Sequence, residues 1–254
     1  MNSIYMIRGG GFGSNFEIKL LMIIITIVAI IYDWRINKRN DYLWIFMTGS
    51  LLWFGVELFL QLAGNRIVAK SLLFNRPLPI MISALIRGLS EGSVIAIIGI
   101  FFADRFLQHK YRIFWIAVFF ILNLLIIILV INQYQPAIYP GGSVPSRRQI
   151  FVPAAVIFMI TMIIIDVIWY SRADFVSRKR GMFMLAVMIV FGSIWTTSEY
   201  LCHTRWIEIL TAGSFQHAEF FTEIFVLSYD VIVEIALAYL PFFAIPSLFG
   251  MIKK

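Results

Sequence analysis

The sequence predicts an all-α polytopic membrane protein of about seven transmembrane helices. Three observations carry this prediction. Of 254 residues, 61% are hydrophobic and only 14% charged, whereas soluble domains run at about 45–50% and about 25%. The mean hydropathy is +0.87. Seven apolar runs stand out, each long enough to cross ~30 Å of hydrocarbon as a helix. The whole chain, 1–254, reads as one transmembrane domain.

The first run, 18–34, follows the glycine-rich stretch Gly9-Gly10-Gly11-Phe12-Gly13. That stretch lacks the Lys and Ser/Thr of a phosphate loop and reads as a flexible lead-in. Leu20–Ile31 is followed by Tyr32, Asp33, Trp34 and Arg35 with no small-residue cleavage site, so it is read as a retained span rather than a signal peptide. Runs 42–64 and 79–103 come next, then 112–132 as a linker helix. Between Gln135 and Arg148 lie Pro136, Pro140, Gly141, Gly142 and Pro145, a composition expected of an outer loop capping an opening. Runs 150–170, 181–202 and 221–248 complete the set, with Pro241 and Pro246 expected to kink the last. Trp34, Trp44, Trp115, Trp169 and Trp206 fall near span ends, where interfacial anchors belong.

Lysine and arginine set the expected orientation. The loops after spans one, three and five, with the C-terminus, hold 12 of them, against 8 on the other side and Arg87 within a span. The cluster Arg178-Lys179-Arg180 sits beside a span end, where charge counts most. The N-terminus is therefore expected outside and the C-terminus in the cytoplasm. The net charge of +7 belongs to these loops and to anionic lipid, not to nucleic acid. The single cysteine, Cys202, excludes an internal disulfide.

The two halves echo one another. At a shift of about 142 residues Trp53 falls on Trp195, Glu57 on Glu199 and Gln61 on His203; one residue further on, Arg87 falls on Asp230 and Glu91 on Glu234. Spans two and three thus match spans six and seven, which share their orientation. The expected plan is three plus one plus three, with repeats at 18–103 and 150–248 joined by 112–132. This topology resembles the parallel repeats of SWEET-type sugar-efflux transporters, and the span count resembles that of the heptahelical opsins. A retinal protein needs a lysine in its last span; Phe221–Leu248 has none, so no retinal Schiff base is expected.

Ionisable residues inside spans cost about 2.5–3.5 kcal/mol each on insertion scales and are functional candidates by default. Glu57, Gln61, Arg87, Glu91, Glu199, His203, Asp230 and Glu234 fall at similar heights in the outer half of four helices. With Glu223 they supply six carboxylates against Arg87 and His203. Such an excess calls for protonated carboxyls or for a bound cation. A divalent metal on Glu199, His203, Asp230 and Glu234 is one expectation, since carboxylate and imidazole suit iron, manganese or zinc. Separate ion pairs that lock helices are the plainer alternative. Asp166 stands alone in the inner half of span five, placed as a gate or proton-exit group would be.

The function expected first is a proton- or cation-coupled small-solute transporter. An intramembrane enzyme acting on a lipid or isoprenoid, by acid or metal catalysis, is the second reading. A structural subunit of a membrane complex is the third. Expected partners are the bilayer and a small solute, cation or lipid, and the composition admits an oligomer.

Overall fold

A computed structural model describes residues 3–8, 16–68, 71–108, 111–133 and 146–252. The glycine-rich stretch and most of the Pro/Gly-rich loop lie outside the described residues. Seven helical rods account for most of the rest: α1 Glu17–Asn37, α2 Asp41–Leu62, α3 Ile80–Leu107, α4 Arg112–Gln133, α5 Pro153–Arg172, α6 Phe175–Leu201 and α7 Phe220–Leu248. Five of them, α2, α3, α5, α6 and α7, are long and apolar enough to cross a membrane, which makes the chain a multi-pass membrane protein. The rods form as helices because a bilayer leaves backbone N–H and C=O groups no partner outside the segment.

The architecture is mostly helical but not all-α. Segments expected as loops pair into a five-stranded antiparallel sheet: β1 Ser3–Arg8, β2 Arg66–Val68, β5 Ser146–Gln149, β6 Arg205–Thr211 and β7 Ser214–His217, in the order β2-β5-β1-β6-β7. β3 Leu72–Leu73 and β4 Arg76–Pro77 make a separate small hairpin. The large sheet lies across one end of the bundle, where α1, α3, α5 and α7 begin and α2 and α6 end. Side chains alternate faces along a strand. Ile4, Met6 and Arg8 of β1 therefore share a face with Arg205, Ile207 and Ile209 of β6 and with Arg148 of β5. Met6 and Ile207 on that face pack with Val226 and Leu227 of α7 in a buried cluster, so this is the face turned to the helices.

Two rods change geometry midway. α3 runs as π-helix over Gly88–Val94 and α7 over Asp230–Leu237, positions offset by about 142 residues. Close packing of α2 against the first of these depends on glycine: a Cβ on Gly92 would lie 2.5 Å from the Trp53 Cβ, and one on Gly88 would lie 2.8 Å from the Phe54 backbone nitrogen. The main apolar core, including Ile45, Ile97, Ile100, Met184 and Phe242, fills the bundle between these contacts and the far end.

At that far end the structure corrects two expectations. α6 begins at Phe175, earlier than 181, because Asp174 caps it by accepting a hydrogen bond from the Ser177 N–H at 2.9 Å. Arg178-Lys179-Arg180 is thus helix rather than loop, and Arg180 is buried. Its Nε and Nη2 donate to the two oxygens of Asp104 at 2.7 and 2.9 Å, and its Nη1 to Asp41 at 3.0 Å. Tyr42 also donates to Asp104, at 3.1 Å. Trp169 is no interfacial anchor: it is 1% exposed, covers Gly181 and donates its Nε1–H to Ser247 at 3.1 Å.

Candidate functional site

Strand alternation and register place one arginine from each of four strands on the sheet face turned to the bundle. Arg8 of β1 sits opposite Arg205 of β6, and Arg66 of β2 opposite Arg148 of β5. Like charges directly opposite on a sheet are destabilising. They persist here because carboxylates rise from the helices to meet them.

On one side, Arg66 pairs with Glu57 of α2 and stands 3.9 Å from Glu91 of α3. Glu91 also takes Lys19 of α1 at 2.5 Å and Arg87, one helical turn back, at 3.0 Å. Gln61 donates to Glu57 at 3.4 Å. On the other side, Arg148 donates to both oxygens of Glu234 and lies 3.5 Å from Asp230. Arg205 reaches Asp230 at 2.5 Å, Thr196 at 2.9 Å and Glu199 at 2.7 Å. Arg8 stands 3.9 Å from Glu199.

The guanidinium groups of the strands feel opposite balances. Burial pulls Arg66 below the ordinary arginine range despite the attraction of Glu57. Burial acts on Arg148 in the same direction, but Glu234 and Asp230 outweigh it and hold Arg148 above that range.

A cavity of about 70 Å³ opens at the centre of this network. The four strand arginines roof it. Glu91, Asp230 and Glu234 line its wall, and Phe191, Trp195 and Ile235 give it an apolar side. Beside it a groove of about 400 Å³ runs between Leu51–Leu60 of α2 and Ala154–Met159 of α5. Cavity and groove share Trp53, Arg66 and Arg148.

Six of the eight residues singled out from sequence, Glu57, Arg87, Glu91, Glu199, Asp230 and Glu234, belong to this network, and Gln61 joins it through Glu57. His203 does not. It is exposed, in a left-handed turn at φ 54° that leads from α6 into β6. Glu223 is drawn elsewhere, accepting from the Ile207 N–H and from Tyr200, both at 3.1 Å.

The expected carboxylate excess also disappears. Arg8, Lys19, Arg66, Arg148 and Arg205, five of the eight basic residues counted on the outer side, turn inward as counter-charges. Arg205 stands between Glu199 and Asp230, and Arg148 between Asp230 and Glu234, where a metal ion was expected. Among the described residues no group of three or more His, Cys, Asp or Glu is arranged to hold one. The missed signal was the alternation in Arg205-Trp206-Ile207-Glu208-Ile209 ahead of Ala212-Gly213, a strand and turn pattern.

No protein family, curated protein or solved structure matches the chain.

Proposed function

We propose that the chain is a seven-span membrane carrier, its substrate site the arginine-roofed cavity and its sheet end outside. The observation that carries this reading is the closure of the cavity at both ends by separable ion-paired layers. Above it lie the strand arginines with their carboxylates; below it Arg180 ties α6 to Asp41 of α2 and Asp104 of α3. Opening one layer while the other stays shut is what alternating access requires.

Several features support the finer plan. α1 and α4 are helices of 21 and 22 residues, long enough to add two spans to the other five. Each half opens with a strand and two helices, returns through two or three short strands, and closes on a third helix that carries its π segment at the equivalent place. Segments of this kind concentrate at functional sites, and here they lie at cavity level. For orientation, five basic residues counted on the sheet side are consumed in ion pairs, which strengthens the bias towards a cytoplasmic opposite end. The coupling group of this carrier is Asp166 of α5, whose two carboxyl oxygens are buried without a hydrogen-bond partner; in a span such a group is costly, which makes it a functional candidate by default.

The test needs no substrate. In a Cys202→Ser background, Ser90→Cys places a thiol on the cavity wall. A carrier predicts labelling by an impermeant maleimide from either face of oriented vesicles. Arg180→Gln, which opens the lower layer, should raise labelling from the face opposite the sheet. Labelling from the sheet face alone in both backgrounds would overturn the carrier and favour a one-sided intramembrane enzyme.

A further inference from the structure

The network around the cavity is not closed. Arg205 is 0% exposed, yet its Nη2 has no hydrogen-bond partner, and neither has the Nε1 of Trp53, 7% exposed, nor the Nε of Arg66. All three residues line the cavity. These atoms are donors only, and a buried donor left unmet destabilises the folded chain. Charge points the same way. Arg8, Lys19, Arg66, Arg87, Arg148 and Arg205 face Glu57, Glu91, Glu199, Asp230 and Glu234, one more cation than carboxylate. Among the described residues, the unmet donors of Arg205, Arg66 and Trp53 call for an acidic acceptor.

The shape adds a second requirement. The cavity holds several times the volume one water needs, enough for a compact headgroup and too little for a hydrocarbon chain. The adjoining groove is far larger and apolar, walled by Leu51, Val56, Phe59, Phe158 and Met159. Leu51 is 71% and Phe59 49% exposed, so in a bilayer this wall faces lipid. Trp53, with the free donor, stands where groove and cavity meet.

We infer that the substrate is an anionic amphiphile: a phosphate or carboxylate headgroup received by Trp53, Arg66 and Arg205 in the cavity, with its hydrocarbon chain in the groove between α2 and α5, entered sideways from the bilayer. This rests on the cavity being the substrate site. It names what that site takes.

The full chain, purified in a neutral detergent, is titrated with dodecyl phosphate, with dodecanol and with inorganic phosphate, and the unfolding midpoint is followed, since a ligand of the folded state raises it. Dodecyl phosphate should raise the midpoint saturably, and the other two far less. Trp53→Phe keeps the ring and removes the donor; it should weaken dodecyl phosphate roughly tenfold or more, as loss of a charge-assisted hydrogen bond does. Gly55 lies in the groove, and a Cβ there meets nothing within 4 Å. Gly55→Phe should fold and weaken dodecyl phosphate while leaving any effect of inorganic phosphate unchanged. Equal stabilisation by dodecanol would remove the acidic headgroup. Inorganic phosphate binding as tightly as dodecyl phosphate, indifferent to Gly55→Phe, would make the ligand a water-borne anion and overturn the amphiphile; binding by none of the three would overturn the site. The assay is an equilibrium one, so its failure leaves two-sided labelling of Ser90→Cys intact, and one-sided labelling leaves a positive titration intact.

Discussion

At the end away from the sheet, every nitrogen of the Arg180 guanidinium meets a carboxylate oxygen, and Asp104 is further held by Tyr42. Under the sheet, Arg205 is more deeply buried but leaves Nη2 unmatched beside a cavity. Both ends use arginine between two acids from different helices. The difference lies in satisfaction: every donor nitrogen of the Arg180 clasp is met, whereas Arg205 leaves one unmet beside a cavity. Ion-pair count alone would rank the two ends alike.

The largest effect should come from breaking the clasp. Arg180→Gln removes the guanidinium shared by Asp41 and Asp104 and should cost about 3–5 kcal/mol, the usual result of removing one partner of a buried pair. Reversible denaturation in mixed micelles would measure it, and adding Asp104→Asn should recover part of the loss. If Arg180→Gln unfolds no more easily than wild type, the clasp reading is wrong.

A middle-sized effect is expected where α2 meets the first π segment. Gly92→Ala forces a methyl against the Trp53 Cβ and the Gly49 carbonyl, 2.5 and 2.8 Å from where it must sit. Overpacking of this kind costs typically 1–3 kcal/mol, seen as a lower midpoint. A midpoint within error of wild type would mean the two helices separate freely there.

The smallest change in stability should come from the site itself. Trp53→Phe removes an unmet donor and keeps the aromatic contact with Tyr239, whose ring centre lies 5.1 Å away, so its midpoint should stay close to wild type. A large destabilisation would show that the Trp53 N–H is already satisfied, and would move this end towards the clasp in kind.

The helices were legible in the sequence because hydropathy is a local property. The seven apolar runs coincide with the seven rods to within a few residues, apart from the early start of α6 that Asp174 imposes. The carboxylates were legible for the same reason: Glu57, Glu91, Glu199, Asp230 and Glu234 are anomalous in an apolar run whatever surrounds them. The sheet was not. Its strands are short, and β1 pairs with partners far along the chain, so no local pattern announces the pairing. Arg8, Arg66, Arg148 and Arg205 consequently read as loop charges that mark topology.

By itself, then, the sequence determined that this protein lives in a membrane and that acidic side chains are buried in it, since both follow from the cost of moving each residue out of water. Only the tertiary structure decided what those acids face. Register across the sheet brought four arginines to one face, where they meet the carboxylates that stood out in the sequence. Charge balance in a low-dielectric interior depends on what stands within a few ångströms, and that is a property of the fold.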